Sequence, residues 1–162
     1  MNISVILLIL GLVALAIFVF LFATDFADSI RIKSLFKKEH CYPTNRIGNL
    51  WIDEPNKKWT VSGFDLLFDF DTIIDYDIQY DGISTKQNLI NMQLETCAEM
   101  TAAPRKTFER LVVVVIMNDS RYPCVNIPVG KTKSVVGSPE FKNQLELAEK
   151  ICNEIEKIKN IE

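Results

Sequence analysis

From Ile3 to Ala23 the chain reads ISVILLILGLVALAIFVFLFA, without a single charged residue. No other stretch restricts its possible folds so strongly. About 20 apolar residues in helical form match the roughly 30 Å hydrocarbon layer of a bilayer. Helix is the form expected there, because lipid offers no partners to backbone amides and carbonyls. Met1-Asn2 brings no Lys or Arg, and the run exceeds the 7–15 residues of a cleaved leader. The reading is an uncleaved transmembrane anchor over residues 1–24, with Ile3 and Ala23 bounding the apolar run. The run also accounts for a mean hydropathy of +0.12 in a chain that is 24% charged.

Arg31, Lys33, Lys37 and Lys38 follow the run, whereas the N-terminal side carries only the α-amino group. Basic residues beside a span tend to remain cytoplasmic. The expected arrangement is therefore a single-pass cell-membrane protein with a short N-terminus outside and its C-terminal domain in the cytoplasm. The bilayer is its first partner, these four basic residues set its topology, and residues 25–47 form a basic juxtamembrane connector.

Cys41, Cys97, Cys124 and Cys152 are widely spaced, with no C-x-x-C pair. That spacing indicates neither a zinc site nor a redox motif. Buried thiols are expected, with Cys124 in a strand and Cys152 on the apolar stripe of the last helix. His40, the one histidine, is read as an exposed linker residue.

From Leu50 onward the periodicity is that of strands. Leu50, Ile52 and Trp59, Val61 flank the turn-rich segment 53–58. Phe64, Leu66, Phe68 and Phe70 recur at period two, and Ile74, Tyr76, Ile78 and Tyr80 continue the alternation. Asp81-Gly82 suits a two-residue hairpin turn. Residues 84–107 read equally as loop or short helix. Leu111–Ile116 is the strongest strand, and Asn118-Asp119-Ser120 turns it toward a partner over 122–129. Ser138, Pro139 and Glu140 punctuate the start of a terminal helix. Its stripe is Phe141, Leu145, Ala148, Ile151, Cys152, Ile155 and Ile158.

The segments LWIDEPNKKWTV, FDFDTIIDYDIQYDG and VVVVIMNDSRYPCVNIPV, together with SPEFKNQLELAEKICNEIEKI, carry a resemblance. They resemble a bacterial family of pleckstrin-homology-like (PH-like) domains without assigned function. The resemblance implies an α+β, mainly β fold over residues 48–162: a small antiparallel β-barrel capped by the C-terminal amphipathic helix, here behind the anchor. A zinc-ribbon cysteine pair precedes the barrel in many relatives. Only Cys41 stands in that region here, so metal binding is not carried over, and the family supplies no catalytic residues.

Between residues 53 and 81 eight acids face Lys57 and Lys58, a local balance of −6. The remainder is +3 within the net −3. Asp65, Asp69, Asp71, Asp75, Asp77 and Asp81 could serve a metal-dependent or hydrolytic reaction. Their period-two placement more simply gives a solvated strand face. Asp77, Gln79, Asp81 and Gly82 imitate half of a calcium loop, but Asn88 stands where its bidentate Glu should be. There is no basic stripe for nucleic acid, and Asp53 and Glu54 offset the two lysines that phosphoinositide binding would use. No catalytic, cofactor or metal residue is assigned. The expectation is a non-enzymatic interaction or scaffold domain with an unidentified protein partner.

Overall fold

The computed structural model describes residues 3–80, 83–84, 107–108, 110–130, 133–135 and 137–161. The chain divides into two compact units, Met1–Tyr42 and Pro43–Glu162.

The first unit is built on α1 (Ile3–Lys38). The helix does not stop where the apolar run stops. It continues through Asp25, Asp28, Arg31 and Lys33 and ends on Lys37 and Lys38, which suit the negative end of its dipole. Arg31 pairs with Asp28 at 3.0 Å. His40 follows with φ 58°, in a turn closed by the Cys41 amide on the Phe36 carbonyl at 2.9 Å.

This unit corrects the reading of residues 1–24. Among the described residues no helix is long and apolar enough to cross a membrane. The transmembrane anchor, the bilayer as partner and the single-pass membrane placement are withdrawn with it.

The second unit is an α+β fold. A meander of four short strands forms one sheet: β1 (Asn45–Ile47), β2 (Leu50–Asp53), β3 (Lys58–Val61) and β4 (Phe68–Asp69). A 3-10 turn over Phe70–Thr72 leads into β5 (Ile73–Tyr80). A second antiparallel sheet has the order β6-β5-β8-β9, with β6 (Ile83–Ser84), β8 (Leu111–Met117) and β9 (Cys124–Pro128). A two-residue ladder joins β7 (Thr107–Phe108) to β10 (Ser134–Val135). The last element is α2 (Pro139–Lys159).

The closed PH-like barrel is therefore overturned. Among the described residues no ladder connects the two four-stranded sheets. β4 is two residues long, and the 3-10 turn carries the chain out of the first sheet before pairing can continue. On the opposite side a side chain makes the link, Asn49 donating to the Pro128 carbonyl at 2.8 Å.

The sheets share one core with α2. Trp59, Val113, Val115, Ile127, Ile151 and Ile155 are all fully buried in it. β8 alternates buried and half-buried residues, so its valines present one face to α2 and the core and the other outward. The period-two run from Phe64 to Phe70 yields only β4. Gly63, at φ 95°, turns the chain, and Thr60 donates to the Leu66 carbonyl at 2.6 Å. Phe64 and Phe68 instead gather edge to face with Tyr122, at 6.4 and 5.8 Å between ring centres.

Ser138 begins α2 as expected, its Oγ accepting from the Phe141 amide at 3.1 Å. Glu154, nearly buried on this helix, accepts from Asn45 at 3.2 Å and from Lys157 at 3.0 Å, tying α2 to β1. Tyr80 pairs directly with Ile83, leaving two residues for the expected Asp81-Gly82 turn. That turn and most of 84–107 lie outside the described residues.

Candidate functional site

β5 and α2 together shape an open cleft of about 320 Å³. Asp75, Tyr76, Asp77 and Ile78 come from the strand, and Glu149, Cys152, Asn153 and Glu156 from the helix. The two groups lie more than seventy residues apart in the chain. Packing of α2 on β5 brings them together. Tyr76 and Ile78 pack against the core on the helix side, and strand alternation turns Asp75 and Asp77 to the other face. On the helix the lining residues sit at i, i+3, i+4 and i+7, a single stripe beside the apolar one.

Two Asp, two Glu and no Lys or Arg are among the described residues that line this cleft. Their field shows in its other groups. Burial pushes the Cys152 thiol up to about 11, and the charges of Asp77 and Glu149 add to the shift. The thiol is therefore neutral at ordinary pH and is no nucleophile. Burial also raises Tyr76, assisted by the charge of Glu156 and by the hydrogen bond its phenol donates to that carboxylate. Tyr80, stacked on Phe141 at 5.6 Å, is raised by burial and by Glu149.

Asp81 lies outside the described residues, and Asp65, Asp69 and Asp71 do not join this site. Asp65 lies in the loop after β3, and Asp71 in the 3-10 turn. Asp69 is held by Lys58 at 2.7 Å. Asp77 and Gln79 are residues of a regular strand, not of a calcium loop. Among the described residues no three His, Cys, Asp or Glu side chains are grouped to hold a metal ion. Asp53 is buried and turned inward on its own hairpin, accepting from Asn56 Nδ2 at 2.8 Å.

Other sequence-marked residues fall outside the cleft. His40 is exposed in the turn after α1. Lys33, Lys37 and Lys38 are exposed on the last turns of that helix, and Ile3 and Ala23 lie within it. Cys41 and Cys152 are buried, but Cys124 is exposed, contrary to the core reading. β9 turns alternate residues outward, and Cys124 falls on the outward phase. Cys97 lies outside the described residues. Asp119 anchors the turn expected at 118–120: the Arg121 amide, bonded to its carboxylate at 2.8 Å, holds that carboxyl below the usual range.

The sequence marked Asp75 and Asp77 but missed their helix partners. The available signal was the stripe Glu149, Cys152, Asn153, Glu156.

No family model, curated protein or solved structure matches the chain, so the resemblance to PH-like domains finds no support.

Proposed function

We propose that this chain is a non-enzymatic binding module whose cleft between β5 and α2 receives a cationic segment of a protein partner. One observation carries the reading: Glu149 and Glu156 line the cleft from α2 and Asp75 and Asp77 from β5, with no Lys or Arg among the described residues that line it. Facing charges of opposite sign favour encounter and fix register. The neutral Cys152 thiol, with Ile78 beside it, gives the cleft a floor against which the stem of a Lys or Arg can pack.

The test is fluorescence anisotropy with a labelled oligolysine peptide and its oligoglutamate counterpart. Only the lysine peptide is expected to bind, more weakly as salt rises. Replacing Glu149→Gln and Glu156→Gln together should weaken binding about tenfold, since exposed charge pairs contribute roughly 0.2–1 kcal/mol each. Unchanged affinity in the double variant would exclude this cleft as the site.

A further inference from the structure

α1 carries no charged residue before Asp25. Every residue from Ile9 to Ala16 is exposed. Ile6, Ile9, Leu10, Leu12, Val13 and Leu15 each keep 38–59% of their surface in water. At about 100° per residue they point to all sides of the helix, so over this stretch the chain itself covers none of them. These six residues leave on the order of 500 Å² of apolar surface per copy. That matches the largest patch of an ordinary monomer, and is more than half of the roughly 800 Å² that a stable interface takes from each partner. A helix apolar on every side is stable in water only when other surfaces surround it.

We infer that α1 is a self-association element: copies of this chain pair through it in antiparallel order, crossing near Gly11 and Ala14. Charge sets the order. Parallel helices would place Arg31, Lys33, Lys37 and Lys38 beside the same four residues of the second copy, and like charges on facing helices repel. An antiparallel overlap of residues 3–24 sets an uncharged run against its own counterpart and leaves every charged residue of α1 outside it. The middle of that run holds Gly11, Ala14 and Ala16. A Cβ added at Gly11 would meet nothing within 4 Å, so a second helix can approach closely there. Each pair still has apolar outer sides, and an antiparallel bundle of four gives every helix two neighbours. The assembly is therefore even-numbered. It is independent of the cleft between β5 and α2.

The experiment is sedimentation equilibrium of the full chain at micromolar concentration, without detergent. The expected mass is an even multiple of the 18.5 kDa chain. A mass of one chain, or of three, overturns the inference. Leu12→Glu with Leu15→Glu places like charges inside the overlap and should raise the dissociation constant about a hundredfold. Glu is a good helix former, so α1 should persist in that variant, which far-UV circular dichroism checks. Gly11→Leu adds apolar surface and helix propensity but fills the crossing, and should weaken association about tenfold. Tighter association of this variant overturns the close crossing. Phe26, 69% exposed, reports the order of the helices. Antiparallel copies hold this position away from its counterpart, so oxidised Phe26→Cys should form no more linked dimer than the parent chain; an increase overturns the antiparallel order. Flotation of single chains with phosphatidylcholine vesicles overturns self-association in favour of a lipid surface.

Discussion

Cys152 shows how a residue chosen for packing takes its chemistry from its neighbours. Its place on the apolar stripe of α2 is legible in the sequence, because seven residues from Phe141 to Ile158 follow the helical period. Its electrostatic setting is not, since Asp77 reaches it through the fold rather than along the chain. Folding holds the thiol protonated up to about 11, above its ordinary value of 9.0, whereas the unfolded chain ionises it earlier. The contribution to stability is therefore fully present below pH 9 and is lost as pH rises toward 11. Tyr76 and Tyr80, also raised, act in the same direction. Urea denaturation of Cys152→Ala should show a shallower loss of stability over that window than the parent chain. In thiol labelling at pH 8, exposed Cys124 should react well before Cys152. Equal rates would contradict the burial and charge assigned to the latter.

At the scale of elements, the helix and the long strands were readable because each carries its own punctuation or its own period. α2 starts on a cap, a proline and an acid in succession, and β8 is built on an uninterrupted β-branched run from Val112 to Ile116. The Phe64–Phe70 run misled because period two records which side chains are buried together, and an aromatic cluster around a glycine turn satisfies that as well as a strand does. The cap is open to a direct measurement. Ser138→Ala removes the acceptor for the Phe141 amide and should cost about 1 kcal/mol in urea unfolding. Ser138→Asp should restore most of it, because a carboxylate at that end also favours the helix dipole. Loss of stability in both variants would show that the hydroxyl serves something other than the cap.

At the scale of the whole molecule, the core cluster is drawn from residues 47–158 and hence lies wholly within the second unit. The fragment 43–162 should therefore fold without the preceding helix. It contains both tryptophans, and Trp59 is fully buried, so a cooperative urea transition followed by indole fluorescence checks this. A broad, non-cooperative transition would show that the division at Tyr42 is not a folding boundary. The pairing of β5 with α2 has no local signature, which is why the site was half visible: a sequence shows one wall of a cleft at a time. The bond from the Asp75 carboxylate to the Tyr76 amide has a consequence for colloidal behaviour. An unfinished strand edge invites two copies of a protein to join through it, and joined pairs can grow into fibrils. Asp75, seated on the Tyr76 amide, and Asp77 place like charges along β5, so two copies brought together there would repel. With Asp75→Ala and Asp77→Ala that guard is gone, and concentrated solutions should develop light scattering and thioflavin fluorescence that the parent chain does not.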